Sequence, residues 1–286
     1  MDFICNETRP LITSPLITFC TCWYNVKSKF DNKLYRQWIK NFLSIINNFN
    51  VVLYTNKESL RQIFTLIDPT NKRIKIIIKP FEEFYMYKYE KQWIKNHEES
   101  GLDLHSKTDW KLNMIWNEKV FFVKEAIQNG YFDTPFYGWC DIGYFRGRQK
   151  DLPINQLFGW PNTNKLINML KDGKIHYGCV QNNKNEYAKV LVDIKNHYKF
   201  DWCVQPTNKY ETIMFAGGFF ACNKNAIENY AIIYDGKIQY YLDNSFTVKD
   251  DQTILTDIIV TNPMLFSIHL EQNKYDNWFM FQRLLL

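Results

Sequence analysis

Apolar positions recur along this chain with two different periods, and the period changes wherever polar and turn-forming residues interrupt it. Residues 16–24 (Leu-Ile-Thr-Phe-Cys-Thr-Cys-Trp-Tyr) are a β-branched and aromatic run of the kind that forms a strand. Leu34, Tyr35, Trp38, Ile39, Phe42, Ile45, Ile46 and Phe49 follow at spacings of three and four, which gathers them on one helix face. Residues 51–55 predict a second short strand stopped by Asn56. Residues 57–67 predict a helix, Pro69 and Asn71 turn the chain, and residues 74–78 give a third strand. This alternation predicts a parallel sheet with crossover helices.

Residues 85–110 are polar, aromatic and weakly periodic, and read as a helical insertion or loop. A long helix is predicted over 110–127, ended by Asn129-Gly130. Residues 136–142 are nearly all apolar, as in a strand covered on both faces, and leave Asp141 at its carboxyl end. Beyond Gly147 the pattern loosens: loop over 151–161, helix over 163–170, strand over 175–180. A further strand over 212–222 is interrupted by Gly217-Gly218, and helices follow over 226–233 and 237–242. Asp250-Asp251-Gln252 opens a last helix through Ile259. No repeat and no Pro/Gly/Ser linker divides the chain, so the expectation is one α/β domain.

Composition refines this picture in three ways. A net charge of +5, from 35 basic and 30 acidic residues scattered without runs, makes no demand for nucleic acid but suits anionic ligands such as nucleotide diphosphates. An aromatic share of 17% supplies mostly core, with material for a sugar-stacking groove. The seven cysteines (Cys5, Cys20, Cys22, Cys140, Cys179, Cys203, Cys222) offer no second pair at metal-site spacing, and read as reduced core thiols of an intracellular chain. Residues 1–15 lack the apolar centre of a signal peptide and no stretch reaches membrane-spanning length, which points to the cytoplasm.

Candidate chemistry centres on Asp141, because ligands of open α/β sheets bind beyond the carboxyl ends of the strands. A carboxylate there can hold a divalent cation that neutralises a diphosphate; equally, it can cap a turn or pair with Arg146. Gly143 permits close backbone approach, and Arg146 and Arg148 can fork phosphate oxygens or simply lie in solvent. Lys119 shares a helix face with Ile115, Phe122 and Ala126, where a cation needs a partner unless it snorkels outward. Gly217 and Gly218 mark a bulge or a close approach to an acceptor sugar, with Phe219 or Phe220 as a stacking wall. Asp250 and Asp251 stand where a catalytic base and a helix cap compete. His269, between apolar residues, is either a packed core group or a late metal ligand.

Five segments, in order, carry a family resemblance: Thr21-Cys22-Trp23-Tyr24 with Ser28-Lys29; Ile115-Trp116-Asn117-Glu118-Lys119; Trp139-Cys140-Asp141-Ile142-Gly143-Tyr144-Phe145-Arg146; Ala216-Gly217-Gly218-Phe219-Phe220; and Lys249-Asp250-Asp251-Gln252. From about Leu16 to Phe281 the chain resembles the HtrL/YibB-like (WlaTC/HtrL/MlaR) glycosyltransferase-like proteins, particularly those of giant DNA viruses. The resemblance implies a GT-A-type fold with a nucleotide-sugar-binding half over about 15–143 and an acceptor-binding half over about 144–286. It further implies a nucleotide diphosphate sugar as donor, a glycan or glycoprotein as acceptor, and a divalent metal, often manganese. Such enzymes commonly carry Asp-x-Asp; this chain has Asp141-Ile142-Gly143, which leaves metal dependence open: either Asp141 binds the metal alone or another residue such as Asp251 or His269 completes the site. Rival expectations are a catalytically inactive nucleotide- or sugar-binding protein and, more remotely, an RNA-binding protein that stacks bases on its aromatics.

Overall fold

A computed structural model describes residues 14–99, 101, 103–180 and 215–286, with scattered positions between 181 and 192. Cys5, Cys203 and the beginning of the 212–222 run lie outside the described residues.

The strands are β1 (Ile17–Trp23), β2 (Asn50–Thr55), β3 (Ile74–Ile78), β4 (Phe136–Cys140), β5 (Ile175–Gly178), β6 (Phe219–Asn223) and β7 (Phe266–His269). They form one mixed sheet in the order β3-β2-β1-β4-β6-β5-β7. All neighbours are parallel except β6, which runs against both β4 and β5. This is a mostly parallel sheet flanked by helices, as expected; which strand is reversed is information that local hydrophobic pattern does not carry.

Helices cover both faces of the sheet: α1 (Asn32–Ser44), α2 (Lys57–Ile63), α3 (Glu90–Glu99), α4 (Asp103–Ser106), α5 (Trp110–Gln128), α6 (Thr163–Leu170), α7 (Ile227–Asp243), α8 (Asp251–Thr261) and α9 (Phe281–Leu284). The two-residue period of the strands sorts the core accordingly. Cys20, Val52, Tyr54 and Trp139 point to the side packed by α5 and α7. Phe19, Val51, Leu53 and Cys140 point to the side packed by α1 and α6. Each large side chain buried this way contributes roughly 1.5–3 kcal/mol before chain entropy is counted. Cys20, Cys140, Cys179 and Cys222 are buried free thiols within this packing, and Cys22 is half-buried.

Several boundaries differ from expectation for identifiable reasons. α1 ends at Ser44, so Ile45, Ile46 and Phe49 are buried by the turn that follows while Leu34 stays exposed. The helices expected over 226–233 and 237–242 are one, because Tyr230, Tyr234, Ile238 and Tyr241 keep a continuous buried stripe across Gly236. Residues 81–89 form short 3₁₀ turns ahead of α3, and the buried Glu118 of α5 accepts from the backbone N–H groups of Tyr85 and Met86, 2.8 Å each. Burial pushes the Glu118 carboxyl up to about 8, partly opposed by those two hydrogen bonds. Among the described residues no helix is long and apolar enough to cross a membrane.

Candidate active site

Four chain segments converge where β4 ends. β4 delivers Asp141, α5 delivers Lys119, the turn entering β6 delivers Gly217 and Gly218, and the start of α8 delivers Asp250 and Asp251. The antiparallel course of β6 makes this possible. Its first residue pairs with the last of β4, Phe219 with Cys140, and Asp141 N–H donates to the Gly218 carbonyl at 2.9 Å.

Lys119 is the hub. It is 6% exposed, and its Nζ donates to the Gly217 carbonyl (2.8 Å) and to Asp251 Oδ2 (2.8 Å), with Asp141 Oδ1 at 3.2 Å. Burial alone pulls the amine down; the carboxylates of Asp141 and then Asp251 reverse this and hold it above its usual range. Asp251 is equally buried, and burial pushes its carboxyl up while Lys119 pulls it back. Asp141 is the open member: its side chain is 42% exposed, with Oδ1 also accepting from Trp139 Nε1 at 2.6 Å. Trp139 and Asp141, two apart, share a face at the strand end, a signal that period alone contains.

The helix segment Trp116-Asn117-Glu118-Lys119 divides its labour. Glu118 anchors the 85–86 backbone, and Asn117 accepts from Tyr234 Oη (2.8 Å), joining α5 to α7. Asn113, one turn earlier, and Asn96 of α3 both donate to the Val248 carbonyl (3.0 and 2.9 Å), which fixes the loop that leads into Asp250. Trp116 lines a cleft of about 110 Å³ together with Tyr35, Lys119, Trp139, Asp141 and Arg146.

Asp250 and Asp251 separate by backbone geometry. Asp250 is extended (φ −160°, ψ −176°) and caps α8, its side chain accepting from Gln252 N–H at 3.2 Å; Asp251 is the first helical residue and faces Lys119. Burial, then the charge of Asp251, pushes the Asp250 carboxyl up to about 6. Since the unfolded value is about 3.9, this group supports the fold fully below pH ~4 and loses that support as pH rises to ~6. Asp250→Asn keeps the capping oxygen and removes the titration. Its melting temperature should gain on the parent's by a few degrees between pH 4 and 7; parallel melting curves across that range would refute this assignment.

The other candidates fall at varied distances from Lys119. Arg146 lines the cleft, donates Nε–H to the Gly143 carbonyl (3.1 Å) and lies over the Trp38 ring. Gly143 sits against the same ring: a Cβ there would be 3.2 Å from Trp38. Arg148 points away and bridges Asp151 and Asp276. Phe219, expected as a stacking wall, is 1% exposed and stacks on Phe281 with ring centroids 4.4 Å apart, so it is core. Phe220 is buried on the opposite face. His269 ends β7, three strand positions from β4 and so roughly 14 Å away at the usual spacing. Its ring meets His176 Nδ1 at 2.8 Å, His176 in turn meets Asp172 at 2.9 Å, and burial followed by the His176 charge pushes His269 down to about 4. Lys29, whose Nζ lies 5.4 Å above the Trp116 ring, is a cation at the cleft that periodicity did not single out.

A divalent ion fits this donor set poorly. Among the described residues no three His, Cys, Asp or Glu side chains are grouped to hold a metal. Asp251 and one oxygen of Asp141 already engage the Lys119 ammonium. That leaves a divalent ion one uncommitted side-chain oxygen of Asp141, Oδ2, because Asp141 Oδ1 also accepts from Trp139 Nε1.

Comparison with known proteins adds a family and a distant shape. None of the curated proteins matches. The crystal structure of mouse xyloside xylosyltransferase 1 in its apo form is similar over 89% of this chain and 85% of that one, at 13% identity and a TM-score of 0.46. Residues 22–285 match the family described as "Bacterial protein of unknown function (HtrL_YibB)", a span that includes each of the four segments meeting at Lys119, and the chain belongs to that family.

Proposed function

We propose that this protein is a GT-A-type glycosyltransferase that moves a sugar from a nucleotide diphosphate sugar to a hydroxyl of a glycan or protein. The observation that carries the reading is the Lys119 hub: one buried ammonium fixes two carboxylates, of unlike exposure, at the carboxyl end of the central strand and beside a cleft with aromatic walls. Donor diphosphate and acceptor hydroxyl need different treatment, and the hub supplies an open carboxylate and a sequestered one. Asp141 presents a free oxygen to the hydroxyls of the donor. In an inverting transfer Asp251, its basicity raised by burial, takes the proton of the acceptor hydroxyl as that oxygen bonds the anomeric carbon, and the diphosphate departs with the electron pair of the broken bond. Gly217 and Gly218 keep the backbone low between the two carboxylates. Half-buried Trp116 and Tyr35 line the cleft with aromatic surface of the kind that suits a base or sugar.

The test is a thermal-shift and calorimetric screen of UDP-, GDP- and TDP-sugars, followed by Asp141→Asn. At least one donor should raise the melting temperature, since a ligand that binds only the folded state stabilises it. Asp141→Asn should fold as the parent does, keeping the acceptor oxygen for Trp139, and lose donor turnover by about two orders of magnitude. Absence of any shift across the panel, or full turnover by the variant, overturns the reading. A donor that binds tightly and is never consumed, with sugar acceptors supplied, selects the inactive binding protein instead.

A further inference from the structure

We propose that the donor's diphosphate is gripped by Arg146 and Lys29 and that donor binding requires no divalent ion. This rests on the glycosyltransferase reading and specifies how its donor is held. The position a bridging cation would take between Asp141 and Asp251 is filled by Lys119, whose three N–H donors face three acceptors: Gly217 O, Asp251 Oδ2 and Asp141 Oδ1. That ammonium is therefore an internal counter-ion with no donor left for phosphate. The diphosphate needs other positive charge.

Arg146 provides it. Its Nε–H is used by the Gly143 carbonyl, and its guanidinium plane is wedged among Trp38 (4.3 Å), Phe279 (5.0 Å) and Phe30 (5.3 Å). Among the described residues it makes no ion pair, and its terminal nitrogens meet no protein acceptor. The contrast lies two residues away: Arg148, on the same loop, is tied to both Asp151 and Asp276. A half-buried guanidinium held rigid by three rings and left without a carboxylate is costly unless an anion completes it. Its fork of N–H donors matches two oxygens of a phosphate. Lys29 stands 5.4 Å over Trp116, a ring that lines the cleft with Arg146, and is likewise without an ion pair among the described residues. Arg146 lines the cleft and Lys29 stands over one of its rings, neither in an ion pair among the described residues, beside a hub whose ammonium is fully engaged by its own carboxylates and a carbonyl; the two cations form a site for a di-anionic group.

The decisive experiment is calorimetric titration of UDP, GDP and TDP into the full chain, first with EDTA and then with excess manganese. The nucleotide that binds should do so with Kd unchanged within about threefold, because no ion bridges protein and phosphate. Arg146→Met and Lys29→Met, each checked for a parental melting profile, should weaken that binding tenfold or more, the scale of losing hydrogen bonds to a charged group. Uridine, guanosine or thymidine, lacking the diphosphate, should bind the parent and both variants alike. Binding seen only with manganese, or unaltered binding by the folded Arg146 variant, overturns this inference and leaves the glycosyltransferase reading standing. No binding by any nucleotide in either condition removes both.

Discussion

Lys119→Met should yield a protein that still folds but melts about 10 °C lower and has lost donor turnover. Met reproduces the apolar stem, so packing against Trp139 and the α5 core is retained. What disappears is the charge between Asp141 and Asp251. Removing one partner of a buried ion pair typically costs about 3–5 kcal/mol, since the other charge is left without compensation in a low-dielectric site. For a chain of this size each kcal/mol moves the melting point by roughly 2–4 °C. Without that counter-charge burial alone acts on the Asp251 carboxyl and favours its neutral form, in which it cannot act as a base. The pH dependence gives a second readout. With the amine held above its usual range, its own support is fully present below pH ~10 and is lost only above that; the unpaired, buried Asp251 carboxyl costs the variant stability as pH rises, so the parent–variant gap should widen from acid toward neutral pH. A variant that melts with the parent and turns over donor at the parental rate would return Lys119 to the role of an ordinary surface-seeking lysine.

The second large effect requires no change of charge at all. A Cβ on Gly217 would lie 2.2 Å from Asp251 Oδ2, 2.6 Å from its Cγ and 2.7 Å from Oδ1. Gly217→Ala therefore forces the Asp251 carboxyl out of its bond with Lys119. Displacing a reacting group by about 1 Å can cost around 10²-fold in rate, and turnover should fall by at least that much. Gly218→Ala is the control on the adjacent residue. Its Cβ would come to 3.2 Å from Asp141 Oδ2, a contact that a small rotation of an exposed carboxylate relieves. Turnover should fall much more at 217 than at 218, measured as kcat on the same donor. Equal effects, or a normal rate for Gly217→Ala, would mean that Asp251 does no chemistry.

Much of this arrangement is legible in the sequence, and the parts that are not share a cause. The run of apolar residues ending on Asp141 announces a buried strand with a charged terminus, and Lys119 stands out because its helical neighbours are apolar. Both are local patterns. Which of Asp250 and Asp251 caps the helix is not local: it depends on a one-residue choice of backbone torsion fixed by the Asn96 and Asn113 bonds to Val248. The glycine pair signals a close approach, but the group approached is the Asp251 carboxyl, brought in from another part of the chain. Phe219 and His269 show the same limit. An aromatic after two glycines, and a histidine among apolar residues, look alike whether they face a cleft or a core. Phe281 and His176 supply the answer through contacts that no local period encodes.

The reversed β6 strand has a consequence for how the chain is made. β4 must wait for its partner: about eighty residues separate the end of one from the start of the other, which is about 4–16 s of synthesis at ~5–20 residues per second. During that interval the emerging chain can already assemble β1 to β4 with their helices, leaving the Phe136–Cys140 backbone as an unpaired edge. That edge is short, apolar and free of charge until Asp141. Such an edge is a template for pairing with another chain. Slower elongation would lengthen that exposure, so expression yield should be more sensitive to elongation rate than the stability of the finished sheet suggests, and aggregates formed during synthesis should be enriched in chains that stop before β6.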